Sequence, residues 1–473
     1  MSIQAAKLDL LSLTDFQKEI HMTDNVNENI ISTFYRSFIK STWYTTIPLK
    51  LQCTMDGDEL IYTVNNSFHF LMYSYMTFQL PQIKIKNEYK GKVRIAWCHN
   101  IATNPIKSAV FKEDDDTYHS WDNVWADIYF QFYQDSGVGK IENHNIGMGN
   151  IKFLEEWSEN LPRYTTNVNH PWFYSHENAL AFPIFYKNSL TRAEHRYSFN
   201  RKVLDFLRVQ ILDKNKVWKD TVRKIYQYVD INPNLLFKTP ELWGRYAYIT
   251  DKEIEWFKCR QNNHFYIKDI VVCDTPNPNK YKSIADINLH SENPCLAMFW
   301  VAENRDATLL HNYSNYTTNT QDLYRGWDPI KSTTLKYGTT LRLDNMSSDH
   351  FSIAEPRKHF KSSPLETGYH AYSFANDSTN FHGDIGIVFA NMNAKLQCRI
   401  ENNNIFSQKD DDDLKDENDE TIESITGFDE DSEEFKLNEQ PEEPSPSFIT
   451  RSRLVILRKF SIVNDDKYYF TIK

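Results

Sequence analysis

Glycine is scarce, at 13 of 473 residues, where an average chain carries about 7%. Glycine-dense loops that cradle phosphates are therefore not expected. Cysteine is thin as well: Cys53, Cys98, Cys259, Cys273, Cys295 and Cys398 stand singly, with no CxxC pair. That spacing does not make a zinc framework and is too sparse for a disulfide scaffold. It reads as reduced, mostly buried thiols. No apolar run approaches the roughly 20 residues that span a bilayer, and the N-terminus lacks a signal-peptide pattern. A soluble, unprocessed cytoplasmic product is the expectation. Excess positive charge is missing too. The net charge is −11, but residues 409–443 alone hold 17 acids and 3 lysines, leaving 47 acids and 50 bases elsewhere. A near-neutral body has no footprint of a dedicated nucleic-acid binder, so no specific nucleic acid is expected among its partners.

What is abundant is aromatic area. Tyr and Phe number 27 and 30, and aromatics reach 14%, ample material for burying sheet faces. Residues 1–40 have no core pattern and read as an N-terminal arm. From Ser41 the texture becomes short β-type runs separated by turns such as Asp56-Gly57-Asp58. Ile83-Lys84-Ile85-Lys86 alternates with the period of a half-buried strand. Trp121, Trp125, Ile128 and Phe132, spaced four, three and four, predict one helix with an apolar stripe. A polar stretch at 214–239 ending in Thr239-Pro240 marks a boundary. The units are then 41–235 and 236–473, the second opening its β set at Tyr246 to Ile249. Leu454 to Leu457 and Tyr468 to Ile472, around Asn464-Asp465-Asp466, read as a closing hairpin. The acidic stretch at about 408–447, with Pro441, Pro444 and Pro446, reads as a disordered loop inserted between strands.

In the first unit, Val93-Arg94-Ile95-Ala96-Trp97-Cys98-His99-Asn100-Ile101 resembles a strand block of the double jelly-roll major capsid proteins of nucleocytoplasmic large DNA viruses. Pro171-Trp172-Phe173-Tyr174-Ser175 and Ala179-Leu180-Ala181-Phe182-Pro183-Ile184 add to the resemblance. In the second it rests on Tyr246 to Glu253, His264-Phe265-Tyr266-Ile267, Leu289-His290, Met298-Phe299-Trp300-Val301 and Gly368 to Ala375. The family's turn before its last core strands is altered to Asn380-Phe381-His382-Gly383, which loses a proline, and the closing strand is seen only as Arg453 to Arg458. The resemblance implies an all-β fold: two consecutive eight-stranded antiparallel jelly rolls with short helices in the inter-strand loops. It further implies a homotrimer with a pseudo-hexagonal outline that tiles an icosahedral shell, in contact with minor capsid and penton proteins. Other proteins would link it to an inner membrane layer. The virion capsid, assembled in the host cytoplasm, is the implied location. A minor capsid or transient scaffold paralogue of the same fold is the alternative. A metal-dependent or carbohydrate-binding jelly roll is the alternative of a different class.

No residue pattern demands catalysis, and no catalytic, cofactor-binding or metal residues are assigned. Glu194-His195 lies in a strand-like run and reads as a structural pair. In Cys98-His99, strand alternation predicts a core thiol beside an outward imidazole. Gly137-Val138-Gly139-Lys140 lacks the leading glycine and the hydroxyl residue of a phosphate loop. His264, His290, His311 and His382 are isolated, with none of the His-x-His spacing of a metal jelly roll. Sequons at Asn65, Asn312, Asn315, Asn345 and Asn376 matter only in a secretory lumen.

Overall fold

A computed structural model describes residues 44–133, 152–175, 180–186, 192–222, 224–259, 263–275, 283–375, 386–390, 392–400, 447–465 and 467–472. The expected arm, Gly137 to Lys140, and the expected acidic loop except Ser447 lie outside these residues.

In chain order the strands are β1 (Tyr44–Lys50), β2 (Gln52–Asp56), β3 (Glu59–Thr63), β4 (Phe70–Leu80), β5 (Ile83–Lys84), β6 (Val93–Trp97), β7 (Ile106–Glu113) and β8 (Asp116–Asp122). They continue with β9 (Asn160–Leu161), β10 (Tyr164–Asn169), β11 (Phe182–Pro183), β12 (Ala193–Phe199), β13 (Leu207–Leu212), β14 (Trp218–Asp220) and β15 (Glu241–Ile249). The rest are β16 (Asn263–Asp274), β17 (Ile284–Leu289), β18 (Cys295–Asn304), β19 (Ile330–Tyr337), β20 (Thr340–Ser347), β21 (Tyr369–Ser373), β22 (Ala394–Ile400), β23 (Phe448–Asp465) and β24 (Lys467–Ile472). Short helices lie between them: α1 (Asn123–Phe132), α2 (Lys152–Glu155), α3 (Ile225–Tyr228), α4 (Asp251–Cys259), α5 (Arg305–Leu309) and α6 (Glu355–His359).

Pairing resolves the strands into two sandwiches of one topology. In the second, β16-β23-β18-β21 form one sheet and β17-β22-β19-β20 the other. Numbering those eight strands by position gives the orders 1-8-3-6 and 2-7-4-5, the double Greek key of a jelly roll. The first sandwich repeats both orders with β1-β15-β4-β10 and β3-β12-β7-β8. The strand β2 extends the second of these, β11 joins β4, and the small sheet β14-β13-β6 lies apart.

This pairing corrects the expected boundary at residue 235. Glu241–Ile249 is antiparallel to β1 and β4, with Thr46 opposite Ala247 and Tyr75 opposite Trp243. It is therefore the eighth strand of the first sandwich, not an opening strand of the second. Prolines and polarity before it mark a connection between strands seven and eight, which sequence alone cannot tell from a linker. The helix is also shorter than its apolar spacing suggests. Trp121 is the penultimate residue of β8, and Asp122 caps α1 by accepting from Trp125 N at 2.9 Å. The closing hairpin is observed, with Asp465 opposite Lys467.

Side-chain alternation explains which faces are buried. Ala193, His195, Tyr197 and Phe199 of β12 point inward, as do Ala285, Ile287 and Leu289 of β17. The first core centres on Phe111, which packs edge-on against Tyr174 and Phe182, tilts onto Tyr118 and Trp172, and stacks on His195. The strand β18 is different, reading Cys-Leu-Ala-Met-Phe-Trp-Val-Ala with all eight residues buried. A continuous apolar run is what a strand covered on both faces requires. Met298, Trp300 and Ala302 enter the second core, whereas Ala297, Phe299 and Val301 join the core of the first sandwich. One apolar cluster therefore runs across both sandwiches.

Truncating Phe111→Ala is expected to cost about 3–5 kcal/mol, read as a lowered denaturation midpoint with the β-type circular dichroism retained at low temperature.

Candidate functional site: the seam between the sandwiches

The outer face of the sheet β16-β23-β18-β21 lies against β8 and α1 of the first sandwich. At its centre is Arg453 of β23, fully buried. Its Nη2 donates to Asp122 Oδ2 at 2.5 Å and its Nε to Asp122 Oδ1 at 3.3 Å. Its Nη1 donates to Asp274 of β16 and to the Ser452 carbonyl. Burial opposes the guanidinium charge, and the two carboxylates outweigh it. Asp122 thus holds an arginine of the second sandwich while capping α1 of the first.

Around this ion cluster α1 supplies the apolar contacts. Trp125, Phe132 and Tyr133 set their rings 5.7, 5.2 and 5.6 Å from that of Phe299. Phe360 packs against Phe132, Tyr133 and Phe299. The helix also buries Asp127, whose oxygens accept from Asn100 Nδ2 and Tyr316 Oη, both at 2.8 Å. Burial raises this carboxyl to about 6 against the pull of its donors. Gln131 accepts from Leu365 N at 2.9 Å. Gly368 sits beneath Tyr316 with φ +97°, and a Cβ there would lie 2.3 Å from the Tyr316 carbonyl oxygen, so only glycine fits.

His99 closes the seam at one end. Its Nδ1 lies 2.8 Å from Glu155 of α2 and its Nε2 3.2 Å from Glu366 of the second sandwich. Burial by itself would lower its pKa. The Glu155 and Glu366 carboxylates reverse that and raise it well above the usual histidine range. The expected outward orientation of His99 is therefore corrected. The strand β6 ends at Trp97, and the chain turns through Asn100 at φ 49°, so strand alternation does not reach His99. Cys98 is buried, as expected.

Beside His99 opens a cleft of about 600 Å³ whose walls come from both sandwiches. Arg94 lies over Trp218 and Trp157, and Arg208 over Trp157. Arg208 donates to the Gln321 carbonyl at 2.5 Å, and Tyr324 donates to Glu155 at 2.9 Å. These contacts again tie one sandwich to the other.

The other singled-out residues are dispersed. His195 faces the core with Nε2 2.6 Å from Tyr174 Oη, while Glu194 on the opposite face meets Arg196 and Lys112. His311 Nδ1 meets the Leu207 carbonyl at 3.1 Å, so it belongs to the seam. His382 and the side chain of His264 are outside the described residues. Asn312 and Asn315 are buried, with amides bonded to the Thr320 and Asn319 carbonyls, whereas Asn65 and Asn345 are exposed. Asn376 is outside the described residues. Sequence reasoning missed a buried Ser348, His370 and Asp328 group. One imidazole nitrogen, Nε2, is 2.8 Å from both Ser348 Oγ and Asp328 Oδ2, and Nδ1 faces the Trp300 carbonyl. A nucleophile-activating relay needs the two partners on opposite nitrogens. Among the described residues no group of three or more His, Cys, Asp or Glu is placed to hold a metal ion.

Comparison with known proteins fits this architecture. A family model described as large eukaryotic DNA virus major capsid protein matches residues 253–426. The major capsid protein of Invertebrate iridescent virus 6 is 25% identical over 374 residues, covering 72% of this chain and 77% of that one. That of Lymphocystis disease virus 1 is 23% identical over 401 residues, covering 79% and 82%. Among solved structures, the Faustovirus major capsid protein superposes with a TM-score of 0.65 at 7% identity, over 94% of each chain. The PBCV-1 virus capsid does so with 0.64 at 12%, over 92% of this chain and 98% of that one. Fold and seam thus define a double jelly-roll protein of the kind found in viral shells. By these matches the chain is similar to the major capsid proteins of large eukaryotic DNA viruses, through the family model over residues 253–426 and through the relatives over most of its length.

Two outcomes are expected at the seam. Arg453→Ala leaves Asp122 without its cation and Asp274 with Arg451 alone, and is expected to destabilise the fold by about 3–5 kcal/mol, measured by urea titration. A histidine in an unfolded chain titrates near 6.5, and His99 in the fold titrates higher. Its stabilising contribution is therefore complete below about pH 6.5 and is lost as pH rises through the folded value. Between pH 6 and 9 the urea midpoint is expected to fall more steeply for the native chain than for His99→Gln. Parallel slopes would remove His99 from the seam's electrostatics.

Proposed function

We propose that this chain builds an icosahedral capsid as a homotrimer whose six sandwiches give a pseudo-hexagonal capsomer. The observation that carries the reading is the seam: two sandwiches of identical strand order are fixed side by side by a shared core and a buried ion cluster. A rigid two-barrel block repeated three times around an axis supplies six similar outlines, and lateral contacts between such units close a shell. The first unit ends at Ile249 with its eighth strand, and the second begins with α4 and β16. Minor capsid and penton proteins, and proteins linking the shell to an inner membrane layer, are its further partners. Assembly proceeds in the host cytoplasm, and the role requires no chemical step. A minor capsid or scaffold protein of the same fold would differ in its abundance in purified virions.

Light scattering on the purified chain is expected to give a native mass near three times 56.0 kDa, with pseudo-hexagonal outlines in particle images. A stable monomer at micromolar concentration would overturn the trimeric reading.

A further inference from the structure

The two sandwiches repeat each other at the level of single residues. In the second, Arg453 of strand eight stands opposite Phe299 of strand three. In the first, Arg245 of strand eight stands opposite Tyr73 of strand three. Two residues along, Val301 faces Arg451 and Tyr75 faces Trp243. The outer face that carries Arg453 is buried against the first sandwich. The matching face of the first sandwich is open: Arg245 is exposed, and its described partners are Thr46 Oγ1 at 2.9 Å and Tyr73 Oη at 3.3 Å. Tyr75 stacks on Trp243 beside it, with ring centroids 6.4 Å apart. Among the described residues, this aromatic face with an arginine at its centre lacks the acidic partner and the cover that its counterpart has.

The cover is duplicated as well. Arg453 is met by Asp122, the residue that ends strand five and caps the helix after it. In the second sandwich strand five, β20, ends at Ser347, and Asp349, whose side chain makes no cap bond, stands just before the helical turn His350–Ala354 that leads into α6. Asp349 is exposed and makes no ion pair among the described residues, and Ile353, one turn on, is 61% exposed. Among the described residues there is thus a second receiving face and a second inserting edge, each unfilled, and they lie on different sandwiches.

Resting on the capsomer reading above, we infer that these two surfaces fill one another between copies. Arg245 of one copy pairs with Asp349 of the next, with Ile353 of that copy against Tyr73 and Tyr75. The contact reproduces between chains the geometry that Arg453 and Asp122 make within one. Three such contacts and three intramolecular seams alternate around the trimer.

Charge reversal tests this pairing. Arg245→Glu and Asp349→Arg, each alone, are expected to raise the concentration at half-dissociation of the trimer by at least about thirtyfold. The double variant, which restores opposite charges, is expected to recover most of that. Monomer folding is followed by circular dichroism. If a single variant fails to fold, Arg245→Cys with Asp349→Cys is joined by a short bis-maleimide. Covalent trimers from the pair, and not from either cysteine alone, are expected. A native chain that is trimeric, with single reversals that stay trimeric or a cysteine pair that does not cross-link, overturns the pairing and leaves the capsomer reading standing. A native chain that is monomeric overturns both.

Discussion

The structure depends on one buried cation. Arg453 sits where two sandwiches meet and neutralises Asp122 on one side and Asp274 on the other. Taking three charges out of water is costly, and a well-packed apolar set could give as much stability. What the ion cluster adds is direction. Aromatic rings of α1 can slide over Phe299 with little change in energy, but a forked donor facing a carboxylate admits one alignment. The angle between the sandwiches is therefore set by charge and their adhesion by apolar area. The polar contacts through Asp127, Gln131 and His99 lie on either side and reinforce the same alignment.

Sequence reasoning reached the fold class because strand texture is a local property. The run holding Glu194 and His195 reads as a strand, and it becomes β12 with one buried face. The family resemblance of the block Met298 to Val301 fell on a strand covered on both sides. What local texture could not reveal was pairing. Strand eight of the first sandwich is separated from strand seven by some forty residues rich in turns, so it read as the beginning of something new. Only its hydrogen bonds to β1 and β4 place it.

The seam itself was nearly invisible in the sequence for the same reason. Asp122 and Arg453 are 331 positions apart, and nothing in the sequence pairs them. His99 was misread because a strand was extended two residues too far, past the left-handed turn at Asn100. The apolar stripe of α1 was legible, although its first member, Trp121, belongs to the preceding strand. Arg453, placed directly before the apolar run Leu454 to Leu457, was the available signal. An arginine drawn into a core with such a run needs a buried partner.

The position of β23 in the chain has a consequence for synthesis. It is central in its sheet, flanked by β16 and β18, yet it is made after every other strand but β24. Until it leaves the ribosome the sheet is split, Arg453 is absent, and the rings of α1 have only part of their cover. At translation rates of about 5–20 residues per second the interval between α1 and β23 is on the order of tens of seconds. A chain cut short anywhere in that interval lacks Arg453 and the strand that joins β16 to β18, and with them the seam.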